Sequence, residues 1–160
     1  MLNDKKRFIS WIPVLIWMII IFLLSSQPAG ESNQLSKGFT SIIIEILGRF
    51  LHLDIEVSTI NNYVVQFNHY VRKFAHFSAY LVLGLLASNA FIKSSKEKKK
   101  AFIYTFIFCV LYAISDELHQ QFVPGRGPML KDVMIDSAGA AVGIVLYKIG
   151  YKYKRRTVCK

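Results

Sequence analysis

Eighteen consecutive residues, Phe8 to Ser25, carry no charge, and no other feature constrains the fold of this chain so tightly. As an α-helix rising 1.5 Å per residue the run covers about 27 Å, close to the roughly 30 Å of bilayer hydrocarbon. Lys5, Lys6 and Arg7 precede it as they would in a signal peptide. The run is nevertheless longer than a signal-peptide core, and no small-residue cleavage site follows. The expectation is an uncleaved membrane span with a tolerated Pro13 near its start. Ser25-Ser26-Gln27-Pro28-Ala29-Gly30 then ends the helix on the far side of the membrane.

The chain is 53% hydrophobic overall, and outside this first run its apolar residues also fall in runs instead of alternating, which predicts an all-α membrane protein in one domain of 160 residues. Its form is a four-helix transmembrane bundle, with spans at about 8–25, 74–92, 101–120 and 132–149. Between the first two spans, 39–53 places Ser41, Glu45, Gly48, Arg49 and His52 on one face and Ile42, Ile43, Ile46, Leu47, Phe50 and Leu51 on the other. This predicts an amphipathic helix of about four turns lying in the interface. The mixed segment 60–71 reads as a separate short helix leading into the second span. Cys109 lies in an apolar run and Cys159 in the basic tail, so neither a disulfide framework nor a metal-site spacing follows.

A formal charge of +10 raises the question of nucleic acid, but the basic residues sit at the ends of apolar runs and offer no exposed soluble face, so no nucleic-acid partner is expected. Three lie before the first span, five between Lys93 and Lys100 and six from Lys148 onward, fourteen of the 20 in all. Four spans place those fourteen on one side, and the positive-inside rule makes that side cytoplasmic, with both termini in.

The third run contains only 14 residues from Ala101 before Ser115, about 21 Å of helix, so it has not crossed when it reaches Asp116. Asp116 therefore falls in the outer part of the bilayer, with Glu117, His119 and Gln120 one turn beyond. A carboxylate costs roughly 2.5–3.5 kcal/mol at a helix centre, somewhat less near the interface, and should face the bundle with a partner. Lys73, His76 and Tyr80 share one helix face by their i, i+3, i+7 spacing. Asp132 and Asp136 form an i, i+4 pair above Gly139 and Gly143, a small-residue surface on which a neighbouring helix can approach closely. Pro124-Gly125-Arg126-Gly127-Pro128 predicts a tight turn that projects Arg126 toward these faces. Ion pairing at helix ends accounts for any one of these residues; their number at one depth points to a functional site.

Several of these residues resemble the VanZ-like family of bacterial membrane proteins: Arg72-Lys73-x-x-His76-x-x-x-Tyr80-x-x-x-Gly84, Asp116-Glu117-x-x-Gln120-x-Phe122-x-Pro124-Gly125-Arg126, Asp132, Gly139-x-x-x-Gly143 and Ser25-Ser26-Gln27. The family usually carries asparagine where this chain has Asp136. The resemblance covers nearly the whole chain and implies a multi-span protein of the cell envelope. The founding member is associated with resistance to the glycopeptide teicoplanin, and the resemblance brings no biochemical mechanism with it.

Two functions follow first as expectations, with a third beside them. One is a protein of the bacterial cell membrane that changes glycopeptide susceptibility, with membrane lipids, an envelope lipid or the lipophilic drug itself as partner. The other is a membrane-embedded hydrolase or transferase acting on an anionic lipid head group, with His76, Asp116 and Glu117 catalytic and Lys73, Tyr80, Gln120, Arg126, Asp132 and Asp136 binding substrate. A non-enzymatic protein holding a lipid or drug tail is a third reading. Asp116, Glu117, Asp132 and Asp136 have the oxygen chemistry of a divalent-cation site, whereas His76 and His119 lack a third nitrogen or sulfur ligand for zinc. No cofactor is assigned. The G-x-S-x-G serine motif is absent.

Overall fold

A computed structural model describes residues 2–50, 57–95 and 97–158. These form six helices and no strand among the described residues: α1 (Leu2–Ile9), α2 (Ile12–Ser25), α3 (Ala29–Phe50), α4 (Val57–Ser94), α5 (Lys98–Gln120) and α6 (Leu130–Val158). Four stretches are long and apolar enough to cross a membrane: Arg7–Ser25, Phe67–Ser94, Lys98–Gln120 and Leu130–Arg155. The chain is an all-α, four-span membrane protein.

Pro13 does more than sit near the start of the first span. It occupies the first turn of α2, where its missing N–H costs nothing, and the helix is interrupted at Ser10 and Trp11 just before it. Ser10 Oγ donates to Arg7 O (2.6 Å), which takes up a carbonyl at the end of α1.

Two expectations about the outer segment change. The helix expected at 39–53 begins ten residues earlier, at Ala29. Pro28 O accepts from the Ser32 amide (3.0 Å), and Glu31 places a negative charge in the positive first turn. Ser36, Thr40 and Ser41 then donate to the carbonyls of Ser32, Ser36 and Gly38, so the hydroxyls of this polar stretch are satisfied within the helix. Residues 51–53 of that expected helix, including His52, and Lys96, Cys159 and Lys160 lie outside the described residues. The segment 60–71 is not a separate helix. It is continuous with the second span in the 38-residue α4, about 57 Å long, which contains no proline and no glycine before Gly84.

The core is built from small residues. Ala87, Ala90, Cys109, Ala113 and Ala140 are fully buried with Tyr80 and Leu83, while Ile19, Leu23, Ile103, Leu111, Val145 and Ile149 are exposed on the outside of the bundle. This suits a lipid solvent, where apolar exterior surface carries no penalty and helices associate by close packing. The α4–α6 seam is closest. A Cβ on Gly139 would lie 2.2 Å from Phe77 O, one on Gly143 2.1 Å from Leu81 O and one on Gly84 2.4 Å from Ala140 O. Lys73 meets Asp132 and His76 meets Asp136 farther up the same seam, so α4 and α6 run in the same direction.

Bonds at the two ends fix the register. At one end Arg7 donates to the carbonyls of Lys93 (3.3 Å) and Ser94, and the Trp11 indole to Ser94 Oγ (3.2 Å). Lys148 lies over the Phe102 ring, 5.7 Å from its centroid. Midway, Trp17 donates to Ala79 O (2.8 Å) and Tyr112 to Met18 O (2.6 Å). At the other end Gln120 Nε2 donates to Ser25 Oγ (2.8 Å), and Ser26 Oγ lies 3.1 Å from His119 Nε2.

Candidate functional site

The loop joining α5 to α6 positions the site. Val123 O accepts from the Arg126 amide (3.1 Å) across Pro124 and Gly125, with Gly125 at φ 75°. Proline second and a positive-φ glycine third make a type II turn. The turn leans on the start of α3: Pro124 O accepts from the Ala29 amide (3.2 Å), and a Cβ on Gly125 would lie 3.0 Å from Ala29 Cβ. Arg126 leaves this braced corner half-buried, and its Nε and Nη1 have no hydrogen-bond partner. Burial, then the charge of Arg72, pull its pKa below the usual guanidinium value, while Asp116 and Glu117 act in the opposite direction.

The α4–α6 seam supplies the second part. Lys73 Nζ is 3.4 Å from Asp132 Oδ1, and His76 Nδ1 is 3.8 Å from Asp136 Oδ1, ion-pair contacts too long or too poorly aligned to satisfy those oxygens. Asp136 is 1% exposed. The carboxylate within ion-pair distance of His76 is Asp136, with Asp116 within electrostatic range of the same histidine.

Asp116 faces the bundle as expected and is 2% exposed, yet the expected partner is missing: neither oxygen has a hydrogen bond, and Ser25 lies beside it without closing one of ordinary geometry. Tyr80, 0% exposed with its hydroxyl also unpartnered, sits within electrostatic range of both Asp116 and Asp136. Glu117 differs from its neighbours. Its Oε1 accepts from the Met129 amide (2.6 Å), and Met129 O in turn accepts the first amide bond of α6, from Asp132 (2.8 Å). Glu117 thus fastens the loop to the start of α6, and Gln120 is turned to Ser25 at the end of α2.

The four carboxylates are thus turned to different partners. Glu117 is directed to a backbone amide and Asp132 to Lys73, and no three His, Cys, Asp or Glu side chains among the described residues gather closely enough to hold a metal ion.

Two cavities meet at this cluster. One, about 140 Å³, is polar and lined by His69, Arg72, Lys73, His76, Asp132 and Asp136 with Met129 and Ile135. The other, about 370 Å³, is a mostly apolar cleft between α2, α3 and α4, with Leu24, Leu35, Phe39, Ile43 and Phe74 along its walls and Ser25, Arg72, His76, Tyr80 and Arg126 at its polar part. Arg72 and His76 line both. The sequence reading left Arg72, Ser25 and Asn33 out of the site. Arg72 Nη1 donates to Asn33 Oδ1 (3.5 Å), which brings α3 to the site. Arg72 and Ser25 belonged to the resembling motifs, and that was their signal; Asn33 had none.

Fold and cluster together define a polytopic helical membrane protein with a buried polar centre at one end of its bundle, adjoining an apolar cleft. A family model described as VanZ/LLP1 matches residues 10–151, and the chain belongs to that family. No curated protein and no solved structure matches it.

Proposed function

We propose that the protein resides in the bacterial cell membrane with both termini cytoplasmic and binds an envelope lipid in the outer leaflet through its anionic phosphate, thereby changing susceptibility to glycopeptides such as teicoplanin. The observation that carries this reading is Arg126: a half-buried guanidinium with two unpartnered N–H groups at the polar part of an apolar cleft. A cation out of water needs an anion that brings hydrogen-bond acceptors, and a bidentate guanidinium suits a phosphate. The cleft takes the acyl chain, and Arg72 lies beside Arg126 to share the phosphate charge.

One observation favours a catalytic version of this reading. His76 lines both cavities with the buried Asp136 3.8 Å from its Nδ1, close enough that a small rotation would let the carboxylate orient it as a general base acting on the head group by hydrolysis or transfer. A lipid- or drug-binding protein without catalysis uses the same residues without proton transfer.

Substitution separates these. Arg126→Ala is expected to abolish teicoplanin tolerance and lipid retention together. His76→Ala is expected to abolish tolerance and leave lipid retention intact if the site is catalytic, and to leave both if it is not. Glu117→Gln preserves an acceptor for the Met129 amide and is expected to leave both. Mass spectrometry of lipid extracts from cells with and without the protein decides between modification and sequestration. An unchanged lipid profile removes the enzyme, and full tolerance in folded Arg126→Ala protein removes the site.

A further inference from the structure

Within the lipid reading above, the unpartnered groups say more about the head group than that it carries an anionic phosphate. Arg126 Nε and Nη1 are donors without acceptors, Asp136 and the Tyr80 hydroxyl offer oxygens without donors, and Asp132 Oδ1 meets Lys73 only across 3.4 Å without closing a hydrogen bond. Asp136 and Tyr80 are buried beyond nine-tenths, and each lines one of the two cavities that meet at Arg72 and His76. Buried polar groups left without partners in this way are costly.

A phosphate alone satisfies the donors and brings a further negative charge beside the carboxylates. Formally, Asp116, Glu117, Asp132 and Asp136 already outnumber Arg72, Lys73 and Arg126 by one charge. A head group that couples a phosphate to a primary ammonium satisfies both sets: three N–H donors on a positive centre for the acidic side and phosphate oxygens for the arginines. The arrangement of the lining residues matches that order. Arg126 and Tyr80 lie on the cleft, Lys73, Asp132 and Asp136 line the small polar cavity beyond, and Arg72 and His76 are shared. We propose that the bound lipid is an aminophospholipid, its acyl chain in the cleft, its phosphate on Arg72 and Arg126, and its ammonium between Asp132 and Asp136 in the polar cavity.

The test compares three lipids of identical acyl chains on the purified full-length protein, each competing with a fluorescent-tailed lipid: phosphatidylethanolamine, phosphatidylglycerol and phosphatidylcholine. Phosphatidylethanolamine is expected to be held roughly tenfold more tightly than either of the others, about the worth of one charge-assisted hydrogen bond. Phosphatidylglycerol lacks the positive charge, and phosphatidylcholine keeps the charge but has no N–H. Asp136→Asn, which keeps the side chain's shape but removes its charge, is expected to lower phosphatidylethanolamine affinity and erase that preference; Asp132→Asn reduces the preference as an independent check. Arg126→Ala weakens all three alike. Equal affinity for the three lipids, or a preference for phosphatidylglycerol or phosphatidylcholine, overturns the head-group assignment and leaves the lipid site standing. A preference unmoved in folded Asp136→Asn and Asp132→Asn proteins also overturns it. Binding of none of the three removes the lipid reading itself.

Discussion

Arg126 depends on the two residues before it. Pro124 fixes its own φ near −65°, and Gly125 takes φ 75°, a conformation that a residue with a Cβ adopts only at a cost. Any Cβ on Gly125 would also meet Ala29 at 3.0 Å, so the turn and the first turn of α3 must shift together. Gly125→Ala is therefore expected to destabilise the loop by roughly 1–3 kcal/mol. Because the shift is confined to this turn and the first turn of α3, helical content should nearly stay and lipid retention should fall, as checked by circular dichroism alongside the fluorescent-lipid competition. A matched Gly127→Ala change, where no atom lies within 4 Å of the new Cβ and φ is not positive, should leave both measurements unchanged. At this scale the sequence was informative where chemistry is local. Pro124-Gly125 announced the turn, but the pull of Glu117 onto the Met129 amide depends on the path of the loop back to α6, which no spacing encodes.

The α4–α6 seam is the element that holds the cluster together, and its glycines are what allow it. With backbone carbonyls of α4 occupying the space of a Cβ at Gly139 and Gly143, even one methyl group forces the helices apart. Gly143→Ala is expected to cost about 1–3 kcal/mol, the range for over-packing a tight interface, and to lower the thermal midpoint of the detergent-solubilised protein. Gly150→Ala on the same helix has nothing within 4 Å and serves as the control, expected to match the parent or exceed it slightly through better helix propensity. The seam was largely legible beforehand, because helical spacing alone put Lys73, His76 and Tyr80 on one face and Asp132, Asp136, Gly139 and Gly143 on another. The outer helices were less so. Polar Asn61, Asn62 and Gln66 suggested a break before the second span, but polarity does not end a helix, and α4 runs through them because neither proline nor glycine intervenes. Likewise α3 begins before its apolar periodicity does, since Ser36 and Thr40 satisfy themselves on its own carbonyls.

For the molecule as a whole, the direction of the bundle decides which leaflet the cluster serves. Arg7 bonded to the carbonyls of Lys93 and Ser94, together with Lys148 over Phe102, gathers the basic ends of all four spans at one end of the bundle. Gln120 on Ser25 and His119 beside Ser26 mark the opposite end, where Arg126 also lies through its turn against α3. A loop with this many lysines is strongly retained on the cytoplasmic side, and Asp and Glu contribute little to that choice. The expected result is that a reporter inserted after Lys99 is active only in the cytoplasm and one near Glu31 only outside. A single cysteine at Gln121, next to the cluster and exposed, should then react with a membrane-impermeant thiol reagent in intact cells once Cys109 and Cys159 are replaced by serine. Labelling at Gln121 only after the membrane is opened, with the Lys99 reporter active outside, would put the cluster on the cytoplasmic leaflet. Its chemistry would stay as described, but a drug arriving from outside could not be met there, and the glycopeptide reading would fall while the lipid site remained.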